Sequence, residues 1–182
     1  MTNSSRGRPI GTYSGKMFHP LDPTPEELTL EDIAHGLSQT CRYAGQSRWF
    51  YSVARHSLYV HSELAEEYGP RVQLYGLFHD AAEAYITDVP RPIKGELEGY
   101  ERIERNILET VWDWLGVEPP TDDQWNAVKQ ADVRLFRYEA DVLLTEFEPP
   151  EVPSLAYELD PVDQREIRTQ FMKKATELQA QL

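Results

Sequence analysis

The chain has 182 residues, 40% of them hydrophobic and 27% charged, with a net charge of −13 at pH 7. That length suits one domain able to bury roughly two-thirds of its extended surface, and the composition gives no ground for wholesale disorder. The acidic excess argues against a protein that wraps duplex nucleic acid, which needs clustered Lys and Arg against the phosphates. A pocket holding a metal and a few cations can still take a small phosphorylated ligand.

No run of about 18 apolar residues occurs, and the first residues, MTNSSRGRPIGTYSG, have no apolar centre of the signal-peptide kind. A cytoplasmic protein without membrane contact is therefore expected. Cys41 is the one cysteine, so it has no internal disulfide partner and reads as a packed thiol.

The first 28 or so residues are rich in Gly, Pro, Thr and Ser and predict an extended arm with a short hairpin at Tyr13 to Phe18. The remainder, 29–182, reads as one helical domain. Thr29 and Asp32 resemble a helix cap and its partner, and Ile33 with Leu37 carries that helix to about Gln39. From Ser52, the spacing of Val53, His56, Val60, Leu64 and Tyr68 follows one helix face, with Gly69 and Pro70 as the stop. A further helix is predicted from about Arg71 to Ala84, packed through Leu74, Leu77, Phe78 and Ala81, with a loop beyond it because Pro90 and Pro92 forbid continuation.

Tyr100, Ile103, Ile107, Val111 and Trp114 form the stripe of an amphipathic helix closed by Gly116. Thr121 and Gln124 make a capping box for the next, which places Trp125, Val128, Asp132, Leu135 and Val142 on one face. Pro149, Pro150 and Pro153 mark a loop, and Asp160 with Pro161 reads as cap and first residue of a last helix through Leu178. Alternating strand patterns are nearly absent, so the class is all-α, with at most a small N-terminal hairpin.

Metal ligation needs imidazole nitrogen and carboxylate oxygen brought to one point by the inward faces of neighbouring helices. His56, the adjacent His79 and Asp80, and Asp132 meet that description. Two of these lie on otherwise apolar stripes, where a carboxylate is costly unless paired or bound to a cation. Glu83 falls four residues after His79 and three after Asp80, so a continuous helix would put the three on one side. His61, about 140° around the helix from His56, cannot share its metal and reads as a surface residue. His35 reads as a packed or capping group, and the tryptophans as core or interface.

The order His56, then His79 and Asp80, then Asp132 resembles the ligand pattern of the HD superfamily of phosphohydrolases. The stretch HDAAEAYITDVPRPIK, from His79 to Lys94, is similar to the corresponding segment of bacterial 5′-deoxynucleotidases and phage-type deoxynucleoside triphosphohydrolases. The stretch DIAHGLSQTCRYAGQSRWFYSVARHS resembles a prophage-borne branch, so that the likeness runs from about Thr12 to Asp141. It implies a compact helical bundle holding one divalent cation (Zn²⁺, Co²⁺, Mn²⁺ or Fe²⁺) on His56, His79, Asp80 and Asp132. It also implies Glu83 and Asp88 as catalytic acids, and Arg42, Tyr43 and Lys94 as substrate contacts, with Arg48 competing for the role of Arg42.

The activity expected from the resemblance is hydrolysis between the 5′ oxygen and α-phosphorus of a deoxynucleotide, either a monophosphate or a triphosphate such as dATP, in a homo-oligomer. A nucleotide sensor without turnover and a phosphodiesterase for cyclic dinucleotides are the competing readings. The presence of Glu83 and Asp88 favours an enzyme over the sensor.

Overall fold

In the computed structural model, residues 6–182 are described; the first five residues of the expected arm lie outside them. The arm forms a minimal antiparallel hairpin, β1 (Ile10–Gly11) and β2 (Met17–Phe18), with Ile10 opposite Phe18. Tyr13 belongs to the turn between the strands, which closes through Thr12 and Gly15, the latter at φ +85°. Phe18 is fully buried and stacks on Tyr85 at 3.9 Å. Asp32 fastens the turn, accepting from the Ser14 amide at 2.7 Å, the Ser14 hydroxyl at 2.7 Å and the Thr29 hydroxyl at 2.7 Å.

Helix α1 (Leu30–Gln39) begins at the predicted Thr29 cap, whose side chain accepts from the Asp32 amide. Its Ile33, Ala34 and Leu37 are fully buried. A Cβ added at Gly36 would stand 2.7 Å from the Ala84 carbonyl oxygen, so α1 lies at backbone distance from the short helix α4 (Glu83–Ile86). Helix α2 (Val53–Ala65) is capped by Ser52 and packs against α1 and against α3 (Pro70–Phe78), α7 (Asp122–Leu143) and α8 (Gln164–Gln179). This central position is why its inward face can deliver a polar side chain to the interior.

The helix predicted over Arg71 to Ala84 is divided. After Phe78 the chain turns with three-residue hydrogen bonds, Ala81 N to Phe78 O at 2.9 Å and Glu83 N to Asp80 O at 2.9 Å, before α4. The His79 Nδ1–H donates to the Gly76 carbonyl at 2.8 Å. The Asp80 amide would use that carbonyl in a continued α-helix, so the side chain competes with the ladder. A three-residue turn aligns positions i and i+3, which keeps Asp80 and Glu83 on one side although the helix does not continue. The expected loop beyond also contains one helical turn, α5 (Arg91–Lys94), with Pro92 at its start.

Helix α6 (Tyr100–Leu115) closes at Gly116, whose φ of +70° lets the Val117 amide reach the Trp112 carbonyl at 3.0 Å. Both halves of the Thr121 and Gln124 capping box are present at the start of α7. Helix α8 starts later than Asp160 and Pro161 predicted, with Asp163 as its cap. The reason lies in α2: the Glu158 and Asp160 carbonyls accept from the Arg55 guanidinium, and the Tyr59 hydroxyl donates to Glu158 O at 2.6 Å. Those contacts hold the segment extended.

The core joins Ile33, Leu37, Val60, Leu74, Leu77, Phe78, Ile107, Val111, Val128, Leu135 and Phe171. His61 is not on the surface as expected but buried within this packing, because α8 covers that side of α2. Trp112 is buried on Tyr75, while Trp114 and Trp125 are half-buried. The class is all-α with a short N-terminal hairpin, and among the described residues no helix is long and apolar enough to cross a membrane.

Candidate metal centre

Three elements converge beside α2. The α2 face presents His56, fully buried; the end of α3 and the turn after it present His79, Asp80 and Glu83; α7 presents Asp132. One ligand atom from each of His56, His79 and Asp132 lies within 4.8 Å of the others, and the two imidazole centroids are 5.4 Å apart. This His-His-Asp cluster could hold a metal ion. Asp80 stands outside that set, with Oδ2 3.1 Å from His79 Nε2 and 3.7 Å from Arg42 Nη1.

The ring nitrogens fit a cation. His79 Nδ1–H is spent on the Gly76 carbonyl at 2.8 Å, and His56 Nδ1–H donates to Glu139 Oε1 at 2.8 Å. Those bonds turn each Nε2 toward the cluster, where a cation would take the place of the proton that Asp132 and Glu139 otherwise hold on His56. His79 Nε2 is buried with Asp80 Oδ2 at 3.1 Å but no well-aligned hydrogen bond, while His56 Nε2 faces Asp132 Oδ1 at 3.1 Å. A buried ligand nitrogen so poorly satisfied is suited to a cation.

Glu139 was not singled out in the sequence, yet it is the hub behind the cluster. Fully buried, it binds His56, accepts from the Tyr51 hydroxyl at 2.8 Å and the Tyr43 hydroxyl at 3.4 Å, and lies 3.2 Å from Arg42 Nε. Its position seven residues after Asp132 and four after Leu135 puts it on the same α7 stripe. That spacing was the available signal, and a second acid on the stripe was the residue to look for.

Charge is sorted within a few ångströms. Burial pulls the His56 imidazole down and Arg42 adds to this, but Glu139 and Asp132 outweigh both and lift it to about 9. Burial pushes Asp80 up, but His79 holds it at about 2. Asp132 is likewise kept far below the ordinary carboxylate range, against burial, by its hydrogen bond to His56 and the charges around it. Glu83 goes the other way: burial, then Asp80 and Asp88, push it well up. Burial also raises Asp88, although Arg42 opposes it. Ionised and neutral carboxyls side by side are the pattern that separates acid from base roles.

A cavity of about 1100 Å³ opens beside the cluster, lined by His79, Asp80, Glu83, Asp88 and Asp132 together with Arg42, Tyr43 and Lys94. Its wall also includes Leu108, Trp112, Trp125 and Phe136. Arg48 lies outside this lining; its amide donates to the Leu143 carbonyl at 2.8 Å. Arg42 is buried between Glu139 and Asp80, and Lys94 Nζ is 2.5 Å from Glu104 Oε1. Tyr43 carries a φ of 58°, uncommon for a residue with a side chain, and its amide donates to Asp88 Oδ2 at 3.0 Å. The backbone turn at Tyr43 thus ties Asp88 to the Arg42 segment.

The chain is 35% identical over 130 residues to the uncharacterized protein YfdR of Escherichia coli K12, an alignment covering 71% of this chain and 69% of YfdR. It is 36% identical over 136 residues to the uncharacterized protein RCAP_rcc00048 of Rhodobacter capsulatus, covering 70% of this chain and 69% of that protein. The chain belongs to their family. No family model matches it.

Within this family member the site joins two imidazoles, ionised carboxylates, a buried neutral acid and a roomy, half-apolar cavity. Such an arrangement can bind a divalent cation, exchange a proton at Glu83 and enclose a ligand of moderate size.

Proposed function

We propose that the chain is a divalent-cation-dependent phosphohydrolase of the HD type that cleaves between the 5′ oxygen and the α-phosphorus of a deoxynucleotide. The observation that carries this reading is the His56, His79 and Asp132 cluster, of which His79 and Asp132 share the wall of the large cavity with Glu83. The likeness of HDAAEAYITDVPRPIK to the deoxynucleotidase segment supports it and supplies the substrate class.

Two imidazoles and a carboxylate, with Asp80 alongside, suit Zn²⁺, Co²⁺, Mn²⁺ or Fe²⁺. A cation bound there supplies Lewis acidity toward a phosphoryl oxygen and makes water a better nucleophile. The proton work falls to the chain. Glu83 Oε2 is buried without a hydrogen-bond partner; a cation bound beside it would offset the burial that disfavours its charged form, and the carboxylate so formed takes the proton of the attacking water. Asp88, held by the Tyr43 amide, gives a proton to the departing 5′ oxygen, so the nucleoside leaves neutral. Arg42 and Lys94 place positive charge on the cavity wall for the phosphate, and Tyr43 supplies an aromatic face beside it.

The deciding experiment is hydrolysis of a panel of dNMPs and dNTPs with added Mn²⁺ or Co²⁺, with an Asp80→Ala variant alongside. Nucleoside appearing with phosphate or triphosphate, and a silent variant, are expected. Metal and nucleotide binding without turnover would replace the enzyme by a nucleotide sensor.

A further inference from the structure

Three of the cations that line the cavity differ in what holds them. Arg42 is buried between Glu139 and Asp80. Lys94 is ion-paired with Glu104. Arg91, on the single turn of α5, is 61% exposed, and its Nη2 donates to Asp132 Oδ2 at 2.6 Å. Its partner is therefore a member of the candidate metal cluster itself. With Oδ1 facing His56 Nε2 at 3.1 Å, both oxygens of Asp132 are engaged, one by an imidazole and one by a guanidinium. The Arg91 guanidinium also lies 5.6 Å from the Phe136 ring centroid, one helical turn beyond Asp132 on α7.

A guanidinium and a divalent cation compete for the same carboxylate, since each neutralises it and the two positive charges repel at this range. The planar fork of Arg, with five N–H donors, matches phosphoryl oxygens once its carboxylate is taken away. Its pedestal is short and stiff, because Pro90 and Pro92 fix the backbone on either side, so a side-chain movement across the cavity mouth is enough.

We infer that Arg91 is a substrate-binding residue that exchanges partners: it holds Asp132 in the cation-free chain, and passes to the phosphoryl oxygens of the substrate when a cation takes Asp132. The exchange orders binding, because the phosphate-binding arginine is released by the cation that the phosphate also needs. The inference rests on the phosphohydrolase reading above for its ligand, a phosphate ester.

The test titrates Mn²⁺ into wild type and Arg91→Gln by calorimetry, then inorganic phosphate into each Mn²⁺-loaded protein. Arg91 is exposed, so the variant is expected to fold, as circular dichroism checks. Removing the competitor tightens Mn²⁺ roughly three- to tenfold, and losing the fork weakens phosphate roughly tenfold or more. Arg91→Lys, a point charge without the fork, should fall between on phosphate. Equal Mn²⁺ affinity, or equal phosphate affinity, in wild type and Arg91→Gln overturns the exchange. If that happens while wild type still turns over deoxynucleotides, only this inference is lost. If the two shifts appear but no nucleotide is consumed, the exchange stands and the enzymatic reading falls.

Discussion

Replacing Glu139 by Gln tests the centre of the site most directly. The side chain is fully buried, and its two oxygens serve His56 Nδ1 at 2.8 Å, the Tyr51 hydroxyl at 2.8 Å, the Tyr43 hydroxyl at 3.4 Å and the Arg42 guanidinium at 3.2 Å. Gln keeps the shape and one acceptor, but its amide nitrogen must face groups that are themselves donors. Arg42 would be left with Asp80 at 3.7 Å as its remaining carboxylate. Stranding one partner of a buried ion pair costs about 3–5 kcal/mol. The retained acceptor places Gln at the low end, about 3 kcal/mol, which for a domain of this size is roughly 6–12 °C in Tm. Metal affinity should fall about 10- to 100-fold, because the imidazole loses the carboxylate that orients it. Urea unfolding followed by tryptophan fluorescence, with Mn²⁺ calorimetry on the same preparations, reads both effects. A variant within about 0.5 kcal/mol of wild type and with unchanged Mn²⁺ affinity would refute the account of Glu139 as the charged support of His56.

The other predictions concern separate parts of the molecule. His61 is depressed to about 4 by burial, with Lys174 adding to it, whereas in the unfolded chain it titrates near 6.5. The unfolded state therefore binds more protons between those values: stability from this group is complete above about pH 6.5 and is lost as pH falls toward 4. The loss is on the order of 2 kcal/mol, and His61→Gln should flatten the acid limb of a urea-midpoint profile; an unchanged slope would assign the acid sensitivity elsewhere. Gly36→Ala should destabilise by about 1–3 kcal/mol, since its Cβ meets the Ala84 carbonyl oxygen at 2.7 Å, and thermal melts at neutral pH check the sign. Glu83→Gln removes a carboxyl whose charged form burial, Asp80 and Asp88 disfavour, so melting should change little while kcat on the best nucleotide falls about 10²- to 10⁴-fold; a variant with full turnover would remove Glu83 from the chemistry.

The amphipathic helices were legible because their periodicity and caps agree. Thr121 with Gln124, Gly116, and Thr29 with Asp32 all bound helices where the sequence put them. Helix α2 ends at Ala65, short of the Tyr68 its stripe reached, and Gly69 caps the start of α3; two other misplacements share one cause, a tertiary partner that claims a backbone group. His79 takes the Gly76 carbonyl and divides a helix whose apolar pattern runs on unbroken. Arg55 and Tyr59 take the carbonyls near Asp160 and delay α8. Local propensity has no access to such competitors, and the same limit explains His61, whose burial depends on α8 folding back over α2.

The site divides along a related line. His56 and Asp132 could be singled out because each is a polar side chain among apolar neighbours at helical spacing. Glu139 satisfies the same criterion but follows Leu135 toward a mixed stretch, RYEAD, where one more acid draws no notice. Its importance comes from Arg42, Tyr43 and Tyr51, nearly a hundred residues away in the chain: two of these are hydroxyl donors and one a guanidinium, and they need a common buried acceptor. Arg91 presents the opposite case. It is conspicuous as a cation in HDAAEAYITDVPRPIK, but the fact that gives it a role, a hydrogen bond to a carboxylate of the cluster, arises only where α5 meets α7. Ligand types are written into local sequence, whereas the groups that orient those ligands or compete for them are set by which helices pack together.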